Sequence, residues 1–208
     1  SLDAAERMLD GLDPSPFPPA LRVGHELVVA GIAMRRLRTK PARAALARAR
    51  DAAHRAGIAG LAAEVESTAK LLATPAARLI ARGQQRPLLL DEVEALMASK
   101  ALVVDACRYV VRDSRTTVSL TRRPVLFALA RALGEAWPQD ASRGTLIARA
   151  FRGKHADESH RARLRVEIGR LRRALLPLAD LNATPDGFVL APRGRREVSV
   201  LALTVEEE

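Results

Sequence analysis

Between Glu158 and Leu176 the sequence ESHRARLRVEIGRLRRALL sets apolar residues at helical spacing into a background of arginine. Leu164, Ile168, Leu171 and Leu175 follow the i, i+4, i+7, i+11 pattern of one buried face, so this stretch can only be a helix with that stripe turned to a core. Arg161, Arg163, Arg165, Arg170, Arg172 and Arg173 are left outside the stripe, with Glu167 the one acid inside the run. Guanidinium pairs bidentately with phosphates and with guanine edges, so such a helix is suited to a nucleic acid. A solvated basic face is the competing explanation, and the surroundings must decide. From Arg143 to Arg173 there are ten basic residues against three acids, so the net charge of +10 is concentrated around this helix. Only four of the 34 basic residues are lysines, a bias that a GC-rich coding sequence would produce, so position carries more weight than the total.

The 208 residues allow one large or two small domains, and 48% hydrophobic content excludes wholesale disorder. Leu27 to Met34, interrupted by Gly31, is among the longest apolar runs and is far shorter than the ~20 residues that cross a bilayer. With no signal-peptide layout at the amino end, the expectation is a cytoplasmic protein with no membrane association. The single cysteine, Cys107, is expected as a small buried apolar residue in a strand. A start at Ser1 rather than methionine suggests a piece of something longer, with domains upstream.

The first hundred residues read as helices between breakers. Ser1 caps a helix to Leu12, the proline-rich stretch from Asp13 to Pro19 ends it, and a second runs from Ala20 to Leu37. Thr39 and Pro41 open a helix to Ala56, Gly57 and Gly60 bracket a turn, and another helix covers Leu61 to Ala73. Thr74-Pro75 repeats the start signal for a short helix to Ala81, Gly83 and Pro87 mark a loop, and Asp91 caps a brief helix through Met97. Gly31, Ala33, Ala45, Leu46, Ala49 and Ala53 put small residues at the contact side of two helices. The stretch GIAMRRLRTKPARAALARARDAAHRAG resembles a tetratricopeptide helix pair, over about one and a half repeats and without the family's large aromatic; a generic helical bundle accounts for the pattern equally.

At Lys100 the character changes. Ala101 to Ala106 and Arg108 to Val111 are rich in β-branched residues, Arg112 to Arg115 reads as a turn, and Thr116 to Leu120 returns as a strand. Thr121 caps a helix to Trp137 with Pro124 in its first turn and Pro138 as its stop. Ser142 caps a helix from Arg143 to Phe151, which Gly153 ends. After the arginine helix, Pro185-Asp186-Gly187 turns a second hairpin between Asn182 and Leu190.

This order, with Leu120-Thr121 before the first helix, Ser142-Arg143 opening the second, Ala150-Phe151-Arg152-Gly153 closing it, Ile168-Gly169-Arg170-Leu171-Arg172 in the third and Gly187-Phe188 in the hairpin, resembles the winged-helix effector domain of OmpR/PhoB-type response regulators over about Ala101 to Pro192. The resemblance implies a helix-turn-helix module that binds double-stranded DNA, with the third helix in the major groove and the hairpin as wing. By position, Arg163, Val166, Glu167 and Arg170 would face base edges. Arg143, Arg161, Arg172, Arg173, Arg193, Arg195 and Arg196 would meet phosphates, which position a protein without reading sequence. A carboxylate at Glu167 can accept from a cytosine amino group. The resemblance also leaves room for RNA polymerase or a regulatory protein as partner and for a homodimer on DNA. Three departures stand against it. Thr184-Pro185-Asp186 occupies the place of the wing's basic residue, Gly169 the place of a larger polar one, and no receiver-like cluster of aspartates precedes the domain.

Enzyme signals are poor. Ser67 and Lys70 have serine-x-x-lysine spacing without companion motifs, His155 and His160 do not share a helix face, and His25 and His54 lack ligand partners in sequence, so neither catalysis nor a metal or other cofactor is expected. The expected fold class is α+β: a helical, tetratricopeptide-like or bundle region over 1–98, then a winged helix-turn-helix domain over 99–205. A bacterial transcription regulator is the leading expectation; the alternative is a protein-interaction adaptor whose basic face meets an acidic partner.

Overall fold

A computed structural model describes residues 1–151, 158–194 and 196–203, and shows an α+β chain in two compact units. The first comprises residues 1–76 and 88–95, the second residues 77–87 and 96–208.

In the first unit, α1 (Leu2–Asp10), α2 (Pro19–Arg35), α3 (Thr39–Ala56) and α4 (Ala59–Lys70) are followed by a 3-10 turn and, later, by the start of α5 (Leu90–Ala98). Small residues let α2 and α3 approach closely: Ala30 on α2 and Ala42, Ala45, Ala49 and Ala52 on α3 are fully buried. Val23 joins Ala49, Ala52, Ala53 and Val65 in one cluster, while Ala30 joins Ala45, Leu46 and Leu72 in another, so the two helices run antiparallel. Gly31 is not at this contact; it lies beneath its own helix's Arg35, whose guanidinium reaches the Gly31 carbonyl at 3.2 Å. Gly57 closes α3 in the left-handed conformation with φ of 66°, donating to the Ala53 and His54 carbonyls.

Thr39 does not cap α3, because Arg38 holds the cap position. The Thr39 N–H, 2.9 Å from the Glu94 carboxylate, and its hydroxyl both donate to that group, which satisfies an open first-turn amide from outside the helix. These two bonds, the hydroxyl's first, hold the Glu94 carboxyl below its ordinary range.

The short helix expected from Thr74 to Ala81 is instead a strand. Thr74 is extended and its hydroxyl donates back to the Lys70 carbonyl at 2.8 Å, so it closes the preceding helical turn rather than opening another. β1 (Ala77–Ala81) and β2 (Gln84–Leu88) follow, with Pro87 tolerated because β2 is an edge strand. The region over 1–98 is therefore not wholly helical, and residues 77–87 belong with the second unit.

There a six-stranded sheet has the order β2-β1-β9-β3-β4-β5, with β3 (Leu102–Asp105), β4 (Val110–Arg112), β5 (Thr117–Ser119) and β9 (Val198–Ala202). β9, unforeseen in the sequence, is buried along its whole length and pairs antiparallel with β1 and parallel with β3. Cys107 lies exposed in the β3–β4 turn, not in a strand. The buried Asp105 carboxylate accepts the Cys107 and Arg108 amides at 2.9 and 3.2 Å and bends the chain there.

α6 (Pro124–Ala136), α7 (Arg143–Phe151) and α8 (Glu158–Leu175) share one core with this sheet and with a three-stranded antiparallel sheet of order β6-β8-β7. Its strands are β6 (Ala141–Ser142), β7 (Ala179–Ala183) and β8 (Gly187–Pro192). α6 starts at Pro124, so Arg123, which the following proline bars from helical geometry, is its cap; Thr121 instead bonds the Ser119 hydroxyl at 3.0 Å. At Gly187 a Cβ would sit 1.8 Å from the Ala141 carbonyl oxygen, so only glycine permits β6 to pair with β8.

Asp113 ties the β4–β5 turn to the segment before β9. Burial opposes its charge, but the Arg115 and Thr116 amides, each at 2.7 Å, and the Arg196 guanidinium outweigh that cost and lower its pKa from 3.8 to about 2. A carboxyl depressed on folding stabilises above its unfolded pKa and loses that contribution as pH falls through the folded value. Acid titration of unfolding free energy should therefore show a loss of about 2 kcal/mol or less between pH ~4 and ~2. Asp113→Asn should be less stable at neutral pH and flatter across that window; an unchanged acid profile would contradict this linkage.

Candidate nucleic-acid interface

The α8 stripe is buried as its spacing requires: Leu164, Ile168, Leu171 and Leu175 are all within the core. α7 shares that core through Leu146 and Ile147, and it opens on a side-chain cap, with the Ser142 hydroxyl accepting from the Thr145 amide at 3.1 Å. Glu135 on α6 joins α6 to α7 by accepting from Arg131 at 2.6 Å and Arg149 at 3.0 Å. Arg152 and Gly153, at the expected close of the second helix, and His155 lie outside the described residues.

The four expected base-reading residues fall on one side of α8. Arg163 stacks on the Phe151 ring at the end of α7, its guanidinium carbon 4.6 Å from the ring centre, which holds the side chain without consuming its donors. Val166 is exposed. Glu167, nearly buried, accepts from Arg170 at 2.8 Å. Glu167 and Arg170 line a groove of about 680 Å³ between α8 and the start of α6, together with Arg123, Pro124, Val125, Leu126, Arg173 and Ala174. Three arginines and one carboxylate around an apolar floor make this a positively charged groove.

The residues expected at phosphates are not brought together. Arg172 reaches the Leu181 carbonyl on β7 through Nε at 3.1 Å and Nη2 at 2.8 Å, so its guanidinium joins helix to hairpin. Arg143 donates to the Pro185 and Thr184 carbonyls at 2.6 and 3.1 Å and lies over the Phe188 ring, bracing the hairpin tip from inside. Arg193 pairs with Asp180 at 3.2 Å, and Arg196 is bound to Asp113 beside the six-stranded sheet. Among the described residues Arg161 has only a loose partner, Glu158 at 3.6 Å. Arg195 lies outside the described residues. Arg173 is exposed at the groove with no bonded partner among the described residues. Asp186 is exposed at the tip, where its carbonyl accepts the Arg143 amide at 3.1 Å.

Two cations were not assigned a role from sequence. Arg122 and Arg123, exposed just before α6, carry no bonded side-chain partner among the described residues, and Arg123 enters the groove. The signal was available as an Arg-Arg pair directly ahead of Pro124. Arg165, counted in the arginine run but given no position on DNA, is likewise exposed and unpartnered among the described residues.

Among the described residues no group of histidine, cysteine, aspartate and glutamate is placed to hold a metal, and no helix is long and apolar enough to cross a membrane. Ser67 and Lys70 lie on the exposed face of α4. No protein-family model matches the chain, and comparison with curated proteins and with solved structures gives no match.

Removing the Arg172 guanidinium leaves the Leu181 carbonyl without its charged donor, a loss of about 1–3 kcal/mol. Arg172→Ala should lower the melting temperature and speed amide exchange across β7 and β8; the same variant at Arg165 should do neither.

Proposed function

We propose that the second unit is a winged-helix module that binds double-stranded DNA through α8, in a cytoplasmic bacterial transcription regulator without catalytic activity. The observation that carries this reading is the division of α8 itself: one stripe committed to the core, and an outward surface of exposed Arg165, Val166, Arg170 and Arg173. Three helices in sequence, a basic third helix and a following hairpin agree with the resemblance read from the sequence. In this reading Arg163, Val166, Glu167 and Arg170 face base edges. Phosphate contacts fall first to Arg122, Arg123, Arg161, Arg165 and Arg173, which are exposed and either unpartnered or weakly paired among the described residues. Arg143 and Arg172 orient the hairpin and the helix, with any phosphate contact secondary.

The groove between α6 and α8 favours a second reading, an adaptor whose basic groove receives an acidic segment of a partner protein, because its floor of Pro124, Val125 and Leu126 offers apolar contact that a phosphate backbone does not use.

Titration of the chain against duplex DNA over a range of salt separates the two. Neutralising about six phosphates gives a slope of log affinity on log salt near roughly −5. Arg165→Ala and Arg173→Ala should each reduce its magnitude by about one, while Arg170→Ala should relax sequence preference in duplexes selected from a random pool. Salt-independent affinity, or recovery of a protein partner with no DNA binding, would sink the first reading.

A further inference from the structure

Sheet edges invite further strands, and three of the four edges among the described residues are blunted. β2 carries Pro87, which offers no N–H, β6 is two residues long, and the Leu181 carbonyl of β7 is taken by Arg172. β5 is left open. On either side of its pairing with β4 the Leu120 N–H donates to the Tyr109 carbonyl at 2.9 Å and the Asp113 N–H to the Thr116 carbonyl at 3.0 Å. Bonded pairs alternate along an antiparallel ladder, so Val111 and Val118 form the next one, and Thr117 and Ser119 turn their N–H and C=O groups away from β4. None of these outward groups has a bonded partner among the described residues. Both residues are exposed, while Val118 between them packs on the core.

Cations stand at both ends of this edge. Arg115 lies in the turn before β5, and Arg122 and Arg123 follow it, all exposed and without a bonded side-chain partner among the described residues. The acid in this stretch, Asp113, is buried and held by Arg196 and two backbone amides. That charge decides the occupant. A second copy added through the same edge would pair Thr117 with Ser119 across a two-fold axis at Val118 and bring Arg115 beside Arg122, so like charges would meet at both ends of a short ladder. A segment carrying carboxylates meets the opposite sign there.

We infer that β5 is a docking edge for an extended, acidic segment of a partner protein, which adds a strand to the six-stranded sheet by bonding Thr117 and Ser119 and sets its carboxylates at Arg115 and Arg122. Backbone bonds give such a segment its register, and the flanking arginines select its charge. The edge does not depend on what α8 binds.

NMR of the full chain with the peptide Glu-Glu-Thr-Val-Thr-Glu-Glu tests the inference. The peptide should bind saturably, shift the resonances of β5 rather than those of α8, and slow amide exchange at Thr117 and Ser119 by about tenfold or more. The same peptide methylated on alternate backbone nitrogens keeps its charge but cannot complete the ladder, and should bind about tenfold more weakly. Thr117→Pro removes one outward N–H and leaves the inner ladder whole, and Arg115→Glu with Arg122→Glu reverses the flanks; each should weaken binding by a similar factor. The methylated peptide needs no altered chain, so the test holds should a variant fail to fold. Absence of binding, equal binding of the methylated peptide, or shifts confined to α8 overturns the assignment. So does a dimer that Thr117→Pro abolishes, which would make a second copy the occupant.

Discussion

The position of the basic face follows from how closely α6 lies on the six-stranded sheet. A Cβ at Gly134 would come within 2.9 Å of Val200 on β9 and 3.2 Å of Val104 on β3, so helix and sheet are as near as a residue without a side chain allows. β9 is the strand that makes this surface, since it joins β1 to β3 across a long sequence interval. α6 then presents Leu126, Phe127, Leu129, Ala130 and Leu133 to a core shared with Leu146 and Ile147 of α7 and with the four-residue stripe of α8. Because interiors are packed at crystal-like density, a shift of α6 would be transmitted to α8 rather than absorbed. The arginines of α8 are thus oriented by a contact made on the opposite side of α6.

A net charge of +10 overstates the cation supply at that face. Arg143 and Arg172 satisfy backbone carbonyls, and Arg193 and Arg196 satisfy carboxylates. These commitments differ in strength. The Glu167–Arg170 pair is open on its arginine side, but its carboxylate is nearly buried, so a ligand that takes Arg170 must itself offer Glu167 a donor. Arg196 faces a carboxylate that is nearly buried and holds two backbone amides as well, so withdrawing it would strand a buried charge, which is costly. A cation's availability depends on what it would leave behind.

The sequence made the local parts of this structure readable. The α8 stripe, the Ser142 cap and the Gly187 hairpin each depend on neighbours within a few residues, and each is present. The misreadings share a different origin. Thr39 and Thr121 have the chemistry of caps, but one is engaged by a carboxylate 55 residues away and the other is displaced by the geometry that Pro124 imposes. β1 and β9 are short apolar runs whose pairing partners lie far off in sequence, so periodicity alone could not separate strand from helix at residues 77–81. For the site, helical spacing told which side of α8 an arginine leaves from. It did not tell which carbonyl waits there, as Leu181 does for Arg172.

The hairpin tip brings these strands of argument to one place. The sequence departs from the winged-helix pattern at Thr184-Pro185-Asp186, and the side chain nearest to compensating, Arg143, is turned inward onto the Thr184 and Pro185 carbonyls. The Thr184 hydroxyl is itself engaged, donating to Asp140 and accepting from the Gly187 amide at 2.9 Å. The tip is therefore rigid, with Asp186 as its exposed charge. A carboxylate within a Debye length of about 8–10 Å of a phosphate repels it, and a braced turn cannot swing that carboxylate aside. Under the DNA-binding reading, the tip must stand off the duplex and the recognition load shifts to α8 and the Arg122–Arg123 pair. Under the adaptor reading, the same tip costs nothing, since an acidic segment seated in the groove between α6 and α8 meets only Glu167 as a like charge, and that carboxylate is already paired with Arg170.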